Sequence, residues 1–115
     1  MVSVEEHYER GVALKCDGSY EEALAEFNAV LAEQPDHAEA RRQIGLVYGF
    51  QGLFDESLQE LLAAVQLDPE NLAVRNDLAL TYSMLGMTDE AKAEFEAVLV
   101  ADPDNDIAKR NIIYF

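Results

Sequence analysis

Prolines stand at 35, 69 and 103, and glycines at 18, 52 and 86. Both sets are spaced by 34 residues, and both residue types punctuate helices. A fixed period of that length demands an array of identical supersecondary units, because one unit cannot bury its apolar face alone. Other positions keep the register: Ala23, Ser57 and Ala91; Phe27, Leu61 and Phe95; Leu14, Tyr48 and Tyr82. Repeats run over 4–37, 38–71 and 72–105, and 106–115 starts a fourth. All lie in one array spanning residues 1–115.

Each repeat holds two helical stretches separated by its glycine. Ile44, Val47 and Tyr48 recur at helical spacing before Gly52, and Leu58, Leu61, Leu62 and Val65 after it. The glycines fall where the chain must turn, and the prolines where the second helix cannot continue. Ser19 with Glu22, and Asp36 with Glu39, have capping-box spacing. Glu21/Glu22, Asp55/Glu56 and Asp89/Glu90 fall in first turns, where the helix dipole favours anions. The expected fold is therefore all-α, a solenoid of three helix-turn-helix repeats with a short C-terminal helix.

The pattern resembles the tetratricopeptide repeat family over nearly the whole chain. A small residue at repeat position 8 is met by Gly11, Gly45 and Ala79. Alanine at position 20 is met by Ala23, Ser57 and Ala91, and proline at position 32 by Pro35, Pro69 and Pro103. A bulky residue at position 24 is met by Phe27, Leu61 and Phe95. The chain departs from the pattern with His7, Arg41 and Arg75 where the family often has tryptophan, and with Arg10 where it has leucine. The resemblance implies a protein-interaction scaffold that binds a peptide or helix in the concave groove lined by the first helices.

On that implied face lie Tyr8, Val12, Cys16, Arg42, Leu46, Phe50, Asn76, Leu80 and Met84. They form two apolar rows, with Tyr8, Arg42 and Asn76 as polar groups for selectivity. Chaperone-binding members grip a carboxylate with cationic and amide side chains. The matching positions here are Tyr8, Val12, Gln43, Ala73 and Asp77, which supply no cation. The expected ligand is accordingly an apolar or mildly basic segment rather than an acidic tail.

Charge narrows the partners further. Net charge is -15, which opposes nucleic-acid phosphates and anionic membrane surfaces, and rules against the RNA-binding helical repeats of similar length. It suits a basic partner or a saline environment. The second-helix segments 20–34, 54–68 and 88–102 carry 13 acidic residues and one basic residue, Lys92. An acidic outer face and a near-neutral groove follow. A single cysteine, Cys16, excludes an internal disulfide, and neither metal-ligand spacing nor a phosphate-binding glycine loop is present. His7 and His37 are not paired with Cys16 by any motif, so no enzyme, cofactor or metal is expected. The opening residues lack the basic and apolar regions of a secretory leader, and no apolar run is long enough to span a bilayer, so a cytoplasmic location is expected.

The two ends differ. His7 and Arg10 give the first repeat a polar outer side. Ile112, Ile113, Tyr114 and Phe115 give the other end an apolar one. Three readings of those four residues stand: self-association into a homo-oligomer, a break within a longer protein, or a short helix covering the third repeat.

Overall fold

A computed structural model describes all 115 residues, which form seven α-helices and no strand. They are α1 (Val4–Cys16), α2 (Tyr20–Glu33), α3 (Ala38–Phe50), α4 (Phe54–Leu67), α5 (Leu72–Met84), α6 (Thr88–Ala101) and α7 (Asp106–Ile112). Each packs on its neighbours in sequence, giving a body of 47 × 26 × 21 Å. The contacts of α1 with α3, and of α3 with α5, align the first helices along one side.

The two kinds of turn are built differently. Gly18, Gly52 and Gly86 adopt φ of +80°, +78° and +76°, the left-handed conformation that a Cβ disfavours. Each lets the next residue donate its N–H back into the preceding helix: Ser19 to Leu14, Leu53 to Tyr48, Met87 to Tyr82, all at 2.8 Å. That tight return holds the residue opening the second helix at ψ near 70°, and its side chain makes no capping bond. Ser19 therefore does not form the capping box its spacing suggests. Nor does Asp36. The cap of α3 is His37, whose Nδ1 accepts the Ala40 N–H at 3.0 Å. The first helices are the ones with side-chain caps, from Ser3, His37, Asn71 and Asn105. Only Ser3, reciprocated by Glu6, makes a full capping box.

Packing explains the small and large positions of the repeat. A Cβ on Gly11 would lie 2.6 Å from the Phe27 ring, and one on Gly45 would lie 2.9 Å from the Leu61 side chain. The bulky residue of the second helix thus presses on bare backbone of the first. Phe27, Leu61 and Phe95 are essentially fully buried, with Val30, Ala64 and Val98 beside them. Ser57, standing where its equivalents are alanine, donates its hydroxyl to the Gly45 carbonyl at 2.7 Å. That carbonyl lies inside a helix ladder, so Ser57→Ala is expected to cost at most about 1 kcal/mol in urea denaturation. A larger loss would show that the hydroxyl, not the helix, positions α4.

The residues at repeat position 4 take over the role of a bulky aromatic by pairing across each helix hairpin. His7 meets Glu26 at 2.6 Å, Arg41 meets Glu60 at 3.2 Å, and Arg75 meets Glu94 at 3.1 Å. The offset is 19 residues every time. Arg41, Arg75 and the His7 ring lean onto the acidic second helices, so they are not groove groups.

Candidate functional site

Along the side formed by α1, α3 and α5, seven residues of α3 rise about 10 Å, enough to separate chemically distinct zones. The zones follow the helix direction: carboxylates at the N-terminal ends, a polar ladder in the middle, and apolar side chains at the C-terminal ends.

The polar ladder is satisfied internally. Lys15 Nζ donates to Gln43 Oε1 at 2.6 Å, and Gln43 Nε2 donates to the Tyr8 hydroxyl at 3.2 Å. Tyr8 donates to Glu39 at 3.4 Å. Arg42 Nε donates to Asp77 Oδ2 at 2.6 Å, and its Nη1 reaches Glu39 at 3.5 Å. Gln43 is buried at the centre of this ladder. Burial pushes the Asp77 carboxyl above its ordinary range, against the hydrogen bond and charge of Arg42. Burial also works against the charge on Arg42, but the hydrogen bond and charge of Asp77 outweigh it and the guanidinium is held above its usual value. At neutral pH the contact is an ion pair. Burial raises the Tyr8 phenol, with the Gln43 hydrogen bond offsetting part of the rise.

Removing Arg42 alone would leave the partly buried Asp77 carboxylate without its cation. Arg42→Ala is expected to cost about 1.5–3 kcal/mol. In Arg42→Ala/Asp77→Ala the orphaned charge is absent, so the double loss should be smaller than the sum of the single ones. Strict additivity in urea titrations would deny the coupling.

Beyond the ladder, Leu46, Phe50, Leu80 and Met84 line a cleft of about 190 Å³ between α3 and α5. Gly45 and Gly49 of α3, Phe54 and Ser57 of α4, and Asp77 and Thr81 of α5 complete it. Phe50 is 60% exposed, Leu80 40% and Met84 62%, an apolar strip of the sort that marks a contact surface. The Phe50 ring also lies against Tyr20, with centroids 6.1 Å apart. A Cβ on Gly49 would have only ordinary contact with Ser57, so glycine there leaves open space rather than relieving a clash.

A second cleft, of about 220 Å³, opens between α1 and α3 and is lined by Glu5, Tyr8, Glu9, His37 and Glu39. The Tyr8 ring stands edge-on to Phe27 and tilted against His37.

The residues expected from sequence divide into groups. Leu46, Phe50, Leu80 and Met84 converge on one cleft. Val12 is half-buried and packs on the first core cluster, and Cys16 is exposed outside that cleft. Tyr8 and Arg42 belong to the ladder and are already partnered. Asn76 is a correction: it is 2% exposed and its Nδ2 donates to Asn105 Oδ1 at 3.1 Å, so it braces α5 to the cap of α7 and presents nothing to a ligand. Ile112 and Phe115 are also corrected as free apolar surface. Both pack on the Ala79, Phe95, Val98 and Ala108 cluster, with the Phe115 and Phe95 rings 5.7 Å apart. Ile113 and Tyr114 face outward. Phe54 and Thr81 escaped the sequence reading, since neither falls at a groove position of the repeat. The 19-residue charge pairing was visible in the sequence and signals the hairpin contacts.

Comparison with known proteins agrees with this geometry. Two models of the tetratricopeptide repeat match the chain, over residues 8–72 and 50–110. No curated protein matches. Among solved structures, the second such domain of human RPAP3, determined with the HSP70 peptide SGPTIEEVD, superposes with a TM-score of 0.87 at 22% identity, covering 97% of each chain. The first domain of Spaghetti (RPAP3), bound to the HSP90 peptide SRMEEVD, gives 0.91 at 20% identity, over 98% of this chain and 92% of that one. The Sgt2 domain from Aspergillus fumigatus gives 0.89 at 18% identity, over 96% and 75%. At these identities the likeness is one of fold.

Proposed function

The chain belongs to the tetratricopeptide repeat family, and from that premise we propose that it is a protein-interaction adaptor whose concave groove holds a peptide or helix by apolar anchors. The observation that carries this reading is the cleft between α3 and α5. Four large apolar side chains from two repeats converge there, three of them exposed, over a floor kept open by Gly49.

The ligands of the superposed domains support a peptide as the class of partner but not its chemistry. Both RPAP3 peptides end in Glu-Glu-Val-Asp. A groove reading such an end needs free cations. Here Arg42 is paired with Asp77, itself an anion, which leaves on this face the single ammonium of Lys15, hydrogen-bonded to the neutral Gln43 amide. An apolar or mildly basic segment fits better, and the net charge of -15 would steer it.

Phe50→Asp and Leu80→Asp place a charge on the rim of the cleft at exposed positions. Both variants should retain full helicity by circular dichroism and lose at least about tenfold in affinity for a peptide selected on the parent chain. Unchanged binding would remove the cleft from the site. A second reading, self-association, retains Ile113 and Tyr114, which are 74% and 78% exposed. Light scattering of Tyr114→Glu against the parent tests it.

A further inference from the structure

The acidic cleft between α1 and α3 holds two carboxylates that the fold does not use. Glu5 and Glu9 are exposed, and neither takes part in any of the chain's ion pairs. They flank the Tyr8 ring, with Glu39 opposite. A cleft bordered by three carboxylates is an environment for a cationic side chain, which gains from charge-assisted hydrogen bonds. The apolar cleft lies diagonally across α3 from it. Leu46 is seven residues beyond Glu39, about 10 Å along the helix, and neighbouring helix axes are about 9 Å apart. The two clefts are thus about 14 Å apart, the span of about four extended residues.

Resting on the groove reading above, we infer that the partner is recognised at two points. A bulky apolar side chain enters the cleft between α3 and α5, and a lysine or arginine about four residues away in the same extended segment enters the cleft lined by Glu5, Tyr8, Glu9 and Glu39. The selected partner is a cationic-apolar peptide. Between the two points the bound backbone crosses the Arg42–Asp77 pair, which is already neutralised and neither attracts nor repels it.

The test uses the whole 115-residue chain. Displayed random 12-residue peptides are panned on it, and separately on Gly49→Leu, in which the new side chain fills the apolar cleft. Parent-specific peptides should carry a bulky apolar residue and a lysine or arginine about four positions apart. For one such synthetic peptide, changing its cation to glutamine should weaken binding about tenfold in fluorescence anisotropy, a typical cost for a lost charge-assisted contact. Glu5→Gln/Glu9→Gln should weaken it equally, and the two changes together should add nothing further. Peptides that are apolar but indifferent to charge, or that carry acids, would overturn the two-point inference and leave the groove reading standing. No peptide preferring the parent over Gly49→Leu would overturn both.

Discussion

Phe27→Ala is expected to remove about 3–5 kcal/mol of stability, the loss typical of a fully buried aromatic truncated in a core. For a domain whose total stability is about 5–15 kcal/mol this is a large fraction. The value should fall at the upper end because the facing helix has little to move into the space. The residue facing the ring is Gly11, whose Cβ position lies 2.6 Å from it, so the opposing helix has no side chain to lend. Tyr8, whose ring centroid lies 5.9 Å away, is held by Gln43 and Glu39. Native-state hydrogen exchange should show the loss confined mainly to α1, α2 and α3, onto whose Ile44 and Val47 the ring packs, with α5 and α6 still protected, because each repeat touches only its neighbours. A loss below about 1 kcal/mol in urea denaturation would contradict the packing described for the first repeat.

Deleting residues 106–115 should destabilise the third repeat by a similar amount and make the chain associate. The segment covers the Ala79, Phe95 and Val98 cluster with Ala108, Ile112 and Phe115. It also supplies Asn105's neighbours in the α7 cap, so the buried Asn76–Asn105 contact is loosened as well. Two large side chains and one small one returned to water amount to about 3–5 kcal/mol. Phe95, fully buried in the intact chain, would then border an exposed apolar face of the kind that drives association. Light scattering across protein concentration should show a mass that rises on truncation. Oligomers that disappear on truncation would instead make the outward pair Ile113 and Tyr114 the contact between copies.

The periodic features were legible because they are local. Helix ends depend on residues free to take positive φ or unable to donate an N–H, and Gly18, Gly52, Gly86 and the three prolines announce both. The large-small alternation of Phe27 with Gly11 and Leu61 with Gly45 follows from the repeat register alone. Caps were less legible. A Ser-x-x-Glu spacing describes a chemistry that also needs an extended backbone at the cap, and the tight glycine turn denies that to Ser19.

The sequence by itself determined the number, order and phase of the helices, since those rest on spacing along one chain. It also marked the apolar row of Leu46, Phe50, Leu80 and Met84. Only the tertiary structure decided which polar groups on that face are free. Arg42 is answered by Asp77, 35 residues away, while Asn76 is turned inward onto Asn105. A charge counts for a ligand only when no closer partner has taken it, and partnership across helices is set by their packing, which no single-chain spacing contains.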